Sequence, residues 1–200
     1  MRYFLWILIP LTLIFSVYQL WPEDILVHEP GILVSNDPLQ ENIENGKPWL
    51  KDDYMITPLA KYEIKARVLS RERYRFDKSS DLSPIDLALG WGVMSDQKIV
   101  DQFSISQHGR WYFWKSKHPP IPNDEVSAHS ANTHILPADD TIADEVTSVR
   151  TGDVVHLKGY LVRVSSDKGF RWKSSVSRTD TGDGSCEVMW VESVSVENPD

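Results

Sequence analysis

Three regimes of hydrophobic patterning succeed one another along the chain. Residues 3–21 carry no charged side chain, and about 19 residues of helix suffice to cross a ~30 Å hydrocarbon layer. Residues 22–56 are polar and interrupted by Pro22, Pro30, Gly31, Pro38, Asn45-Gly46 and Pro48, which predicts a tether rather than a regular element. Within it, Gly31-Ile32-Leu33-Val34 is a short apolar run expected to dock on the domain C-terminal to it. From residue 57 to 197 the pattern becomes that of a folded domain.

That domain opens on a strand. Tyr62, Ile64, Ala66 and Val68 alternate with Glu63, Lys65 and Arg67, the period-two signature of one dry and one wet face. Ser83-Pro84-Ile85-Asp86 predicts a helix start, with a hydroxyl cap, proline in the first turn and an acid behind it; Gly90 and Gly92 would end it. Ser95-Asp96 predicts the cap of a second short helix. Residues 104–115 favour β structure, and Arg110-Trp111-Tyr112-Phe113-Trp114-Lys115 has aromatic rings on both faces, as a central strand would. After the stiff Pro119-Pro120-Ile121-Pro122 crossing comes an extended piece at 132–136. Thr141-Ile142-Ala143-Asp144 resembles a capping box, with Ile142, Val146 and Val149 as the inner stripe of a helix. Three strands close the chain, at 154–164, 170–177 and 188–196. Asp167-Lys168-Gly169 turns between the first two, and a polar loop at 178–185 joins the last two. The expected class is therefore mainly β with short helices (α+β). The expected form is a small, partly closed barrel of the oligonucleotide/oligosaccharide-binding kind, behind one N-terminal transmembrane helix.

The exit of the apolar run decides between an anchor and a removable signal. Ser16-Val17-Tyr18-Gln19-Leu20-Trp21-Pro22 offers bulky groups where a signal peptidase needs small ones. Tyr3, Trp6, Tyr18 and Trp21 sit where interfacial aromatics belong. Arg2 precedes the run and Glu23-Asp24 come after it, so the positive-inside bias keeps the N-terminus in the cytoplasm and sends the domain outside. The reading is a single-pass signal-anchor over residues 1–21.

Charge and composition narrow the partners. The formal net charge is -8, from 29 acidic and 21 basic residues, which argues against a general nucleic-acid binder. The acidic tether is repelled by anionic headgroups and should hold the domain off the bilayer. Cys186 is the only cysteine, so stability must come from the core, to which several of the eight tryptophans are suited.

Candidate chemistry clusters late in the chain. In Asp180-Thr181-Gly182-Asp183-Gly184-Ser185-Cys186-Glu187, the Asp-Thr-Gly of an aspartic protease occurs once, after polar rather than apolar residues. Asp180, Asp183 and Glu187 are hard oxygen donors for a cation such as calcium, without the twelve-residue spacing of a helix-flanked site. The simplest reading is a wide hairpin connection. Cys186 as nucleophile would need a base, His134 or His129, and Asn132 is placed to orient His134; the alternative is a small buried hydrophobe at a strand start. His129 and His134 are five apart and fall on opposite sides of an extended segment. They do not suggest a shared metal, and His108, His118 and His156 are scattered. The aromatic–basic groups Arg110-Trp111, Trp114-Lys115 and Arg171-Trp172-Lys173 could form a stacking, charge-neutralising face, with Trp114, Trp172, Arg171 and Lys173 as candidate ligand contacts, against the alternative that the rings are core.

The stretches Leu87-Ala88-Leu89-Gly90-Trp91-Gly92-Val93-Met94-Ser95-Asp96, Gly109-Arg110-Trp111-Tyr112-Phe113-Trp114, Ser130-Ala131-Asn132-Thr133-His134 and Asp180-Thr181-Gly182 resemble a pattern of an uncharacterised family of bacterial membrane-anchored proteins with one N-terminal transmembrane segment. The resemblance covers residues 57–193 and implies a bacterial envelope setting; with the signal-anchor, the expected location is the cytoplasmic (inner) membrane with the domain in the periplasm. The resemblance carries no activity. The expectation is a binding or assembly module of the bacterial envelope, with no cofactor. Its partners are the bilayer through residues 3–21 and an envelope protein or glycan. The alternatives are a tethered hydrolase using Cys186 with His134 or a metal site, and a glycan- or nucleotide-binding barrel.

Overall fold

The computed structural model describes residues 25–76, 79–177 and 186–197. The expected membrane segment, and the loop that holds Asp180 and Asp183, lie outside them. In chain order the elements are β1 (Leu39–Asn42), β2 (Trp49–Lys51), β3 (Tyr54–Arg73), β4 (Ile85–Gly90), a 3-10 turn (Gly92–Ser95), α1 (Gln97–Val100), β5 (Ser104–His108), β6 (Trp111–Lys115), α2 (Asn123–Ala128), β7 (Ser130–Pro137), α3 (Asp140–Ser148), β8 (Val154–Ser165), β9 (Arg171–Lys173) and β10 (Glu187–Glu197). The protein is mainly β with short helices, as expected.

Its sheet is ring-like because β3 is long and bent. The strand pairs with β8 over Met55 to Arg67 and with β4 over Arg67 to Arg73, and register shifts at Pro58/Ala60 and Val68/Ser70 mark where it turns. From β4 the pairing runs to β7, β10 and β8, and so back to β3. The β7–β10 pair is parallel, and the other pairs of the ring are antiparallel. At Gly159, a Cβ would collide with the Trp190 carbonyl, so this crowded crossing excludes a side chain.

Inside the ring lie Ile64, Ala66, Leu87, Leu89, Ile135, Leu157, Leu161, Met189 and Val191, in one cluster that also takes Ile142 and Val146 of α3. Each large aliphatic so buried contributes on the order of 1.5–3 kcal/mol. The inner stripe of α3 is as expected, but its cap is Asp139, whose Oδ1 accepts from Ile142 N at 2.9 Å, rather than Thr141.

Three expectations are corrected. Residues 85–90 form a strand buried along its whole length, not a helix. The cap-like Ser83-Pro84 is a local signal, outweighed by pairing with both β3 and β7. Residues 104–115 are not a central strand but the hairpin β5–β6, a separate two-stranded sheet. Finally, the stretch read as a tether up to residue 56 belongs to the folded unit from residue 25 onward. Leu26 N donates to Thr151 O at 2.9 Å, Val34 is buried and bonds to Ser95 Oγ, and β1 and β2 both pair with β3. Prolines and glycines keep the regular elements here short, but they leave an extended chain free to hydrogen-bond. The expected docking of residues 31–34 is observed.

Candidate functional site

Alternation along β4, β7 and β10 sends one set of side chains into the ring and the other outward. Register aligns the outward set. Asp86 lies opposite His134 across β4–β7, and Ala88 lies opposite Asn132. In the parallel β7–β10 pair Glu187 lies beside Thr133, which brings Cys186 alongside Asn132. The β5–β6 hairpin folds over one half of this outer face. There Tyr112 and Trp114 join Ala88, Met94, Phe103 and Val126 in an apolar cluster, and Gln107 Nε2 donates to Asn132 Oδ1 at 2.7 Å. The other half stays open.

The hairpin turns on Gly109 (φ +58°) and Arg110 (φ +71°), a two-residue loop with both residues left-handed. A non-glycine residue adopts this conformation at a cost, and Arg110 is tied down on every side. Its Nη1 reaches Asp86 Oδ1 at 2.7 Å and Ser83 Oγ at 3.2 Å, and its Nη2 donates to Ser83 O at 2.9 Å. The guanidinium lies over the Tyr74 ring, 3.6 Å from its centroid, with Trp172 5.7 Å away. Burial, together with the Asp86 charge, pushes the Tyr74 hydroxyl up to about 12, so it stays neutral at physiological pH.

Asp86 is fully buried and also faces a histidine. His134 Nδ1 stands 3.0 Å from Asp86 Oδ2, and His134 is only 3% exposed. The two atoms lie within ion-pair distance, but neither makes a hydrogen bond. The imidazole leans on Trp172, with ring centroids 4.5 Å apart and planes at 44°.

Above this floor opens a cleft of about 470 Å³, within the range of small-molecule sites. Rings of Trp111, Phe170 and Trp172 line it, with the cationic side chains of Arg110, Arg171 and Lys173, the thiol of Cys186, and Ser79 from the β3–β4 connection. Arg171 is held by the carbonyls of Ser166 and Phe170 at 2.9 and 2.7 Å.

Most of the residues singled out from the sequence converge here. Cys186, His134, Trp172, Arg171 and Lys173 share the cleft, and Asn132 touches Cys186, its Nδ2 donating to Sγ at 3.7 Å. Asn132 does not orient His134, however. The residue beside the imidazole is Asp86, directly across the strand pair, whereas residue 132 is two positions along the same strand. Trp114 stands apart, edge-on to Phe103 at 5.8 Å beneath the hairpin, and is a packing residue. Glu187 is buried at the start of β10 beside Thr133. His129 sits near Glu125 and His156 near Glu63, both away from the cleft. Among the described residues, no group of three His, Cys, Asp or Glu side chains could hold a metal ion, and no helix is long and apolar enough to cross a membrane.

Asp86 was not among the expected site residues. A lone carboxylate within Ile85-Asp86-Leu87-Ala88-Leu89 is the signal that could have found it, once those residues are read as a buried strand. No protein-family model matches the chain, and no curated protein or solved structure matches it either.

Proposed function

We propose that this domain is a binding module of the bacterial envelope, carried on the cytoplasmic membrane by residues 3–21, and that the Trp172 cleft receives a short, ring-bearing, anionic ligand. An acidic oligosaccharide fits these terms best. The observation that carries the reading is where the cleft lies. In chain order the ring strands are β3, β4, β7, β8 and β10, with the parallel pair between third and fifth and a helix between third and fourth. That order supports the oligonucleotide/oligosaccharide-binding barrel, whose ligands lie on the face of strands two and three between the loops after strands one and four. Of the cleft residues, His134 comes from that face, Ser79 from the first of those loops and Phe170 to Lys173 from the second; Arg110 and Trp111 reach in from the hairpin between strands two and three, and Cys186 from the start of the fifth.

Trp172 and Trp111 offer flat apolar surfaces for sugar or base rings, and Arg171 and Lys173 offer charge for a carboxylate or phosphate. A long polyanion is disfavoured by the net charge of -8, which favours a short ligand.

Calorimetric titration of the detergent-extracted chain with uronic-acid oligosaccharides, neutral oligosaccharides and nucleotides tests this. Saturable binding is expected to weaken by about tenfold or more in Trp172→Ala, since stacking on an aromatic is worth ~1–3 kcal/mol. Lys173→Ala should weaken only the charged ligands, and Trp114→Phe should bind normally. Binding of nucleotides alone would reassign the ligand class. No saturable binding of any of the three would end the proposal.

A further inference from the structure

We propose that Cys186 is a nucleophilic thiol served by His134 as base and Asp86 as the group that orients the base. The cleft would then remove an ester-linked acyl group from a sugar hydroxyl of its ligand. The sugar identity rests on the binding reading above; the thiol chemistry does not.

The set is assembled by register rather than by loops. Asp86 projects outward from β4 and Asn132 and His134 from β7, Cys186 stands immediately before β10, and both His134 and Cys186 line the cleft. The buried Asp86 carboxylate stands 3.0 Å from Nδ1 without an aligned hydrogen bond, and its negative charge favours the proton on that nitrogen over Nε2. Among the described residues Nε2 has no hydrogen-bond partner, although the imidazole is almost wholly withdrawn from solvent (3% exposed). A ring so deeply seated, with its basic atom unbonded in a cleft that also holds the only thiol, points to a reacting partner.

The sulfur has its own support. Gln107 Nε2 donates to Asn132 Oδ1 at 2.7 Å, which fixes the amide so that Nδ2 donates to Arg110 O at 3.0 Å and to Cys186 Sγ at 3.7 Å. An N–H directed at sulfur favours the thiolate, as do cations around it. The titratable groups facing the cleft are Arg110 from the hairpin tip, Arg171 and Lys173 from β9 and His134 from the floor, with Asp86 buried behind Arg110 and His134.

The step balances with water as the only co-reactant. Nε2 takes the thiol proton, and sulfur bonds to the acyl carbon as that carbon's bond to the sugar oxygen breaks. The leaving oxygen takes the proton from Nε2. Water then adds to the thioester and gives a proton to Nε2; the carbon–sulfur bond breaks, releasing the acid and returning the proton to sulfur.

Because Cys186 is the only cysteine, iodoacetamide labelling of the full chain reports on it alone. The expected pH profile has its midpoint below the value of about 8.5 for a free thiol, and His134→Gln should move it upward. With p-nitrophenyl acetate, mass spectrometry should find one acetyl group on Cys186 of the wild type, and His134→Gln should accumulate it at least about tenfold more slowly. Thermal unfolding of His134→Gln identifies a variant that has simply failed to fold. In that case Asn132→Ala, expected to raise the labelling midpoint, takes its place. An ordinary midpoint with no acetylation would overturn this proposal even if oligosaccharides bind. Acetylation without oligosaccharide binding would sustain the thiol and overturn the binding reading.

Discussion

Arg110 and Asp86 meet at 2.7 Å across two elements far apart in folding logic: the tip of a surface hairpin and the beginning of a buried strand. The pair fixes the roof of the cleft to its floor. It also explains how a non-glycine residue holds φ +71° at the turn. Removing Arg110 leaves a buried carboxylate with only His134 to meet its charge. Arg110→Ala should therefore destabilise the domain by about 3 kcal/mol, measured by urea unfolding, whereas Trp111→Ala at the next position, with a half-exposed ring, should cost less than about 1 kcal/mol.

Two tyrosines set a ceiling on alkaline stability. Burial pushes the hydroxyls of Tyr74 and Tyr112 up to about 12. Above about pH 10 the unfolded chain ionises these groups and the folded chain does not, so the unfolded state gains. Stability should hold below about pH 10 and fall through about pH 12, with Tyr112 contributing on the order of 2 kcal/mol and the more open Tyr74 less. Urea unfolding across that range should show the fall, and Tyr112→Phe should flatten it. A stability that rises with pH in this window contradicts the burial of Tyr112.

Docking of the N-terminal segment rests partly on Gly152. Its φ is +96°, and a Cβ there would strike the Leu26 carbonyl; His28 Nε2 also lies 2.7 Å from the Gly152 carbonyl. Gly152→Ala should cost about 1–3 kcal/mol and free residues 25–34 for proteolysis, while leaving the cleft's reactivity intact. Limited digestion followed by mass spectrometry would show the new cut. Unchanged resistance would mean that the segment does not depend on this contact.

Trp114 separates packing from binding. With its ring against Phe103 in the cluster under the hairpin, Trp114→Ala should destabilise by about 3 kcal/mol. Ligand affinity, measured below the unfolding transition, should not change.

What the sequence revealed, and what it hid, divides along one physical line. Alternation at Tyr62, Ile64, Ala66 and Val68, the stripe Ile142–Val146–Val149, and the turn at Gly169 are local patterns whose consequences are local, and each is found where expected. The misreadings arise where distant pairing overrides a local signal. Ser83-Pro84 looks like a helix cap until β3 and β7 flank the next six residues. Arg67, on the expected wet face, is buried because the segment with Gln97 folds over it and Gln97 accepts from its guanidinium. Site residues were partly legible for the same reason. Cys186, His134 and Trp172 are chemically conspicuous in sequence, whereas Asp86 becomes conspicuous only once its strand is known to be buried.

The central claim is that the ligand meets the outer face of β4 and β7 at Trp172. Eight tryptophan indole N–H signals make that claim directly readable in a two-dimensional NMR titration with an acidic oligosaccharide. The account predicts that the Trp172 and Trp111 signals move and saturate together, while those of Trp91 and Trp114 stay in place. Movement confined to Trp49 and Trp190, whose rings pack 5.3 Å apart away from the cleft, would contradict it.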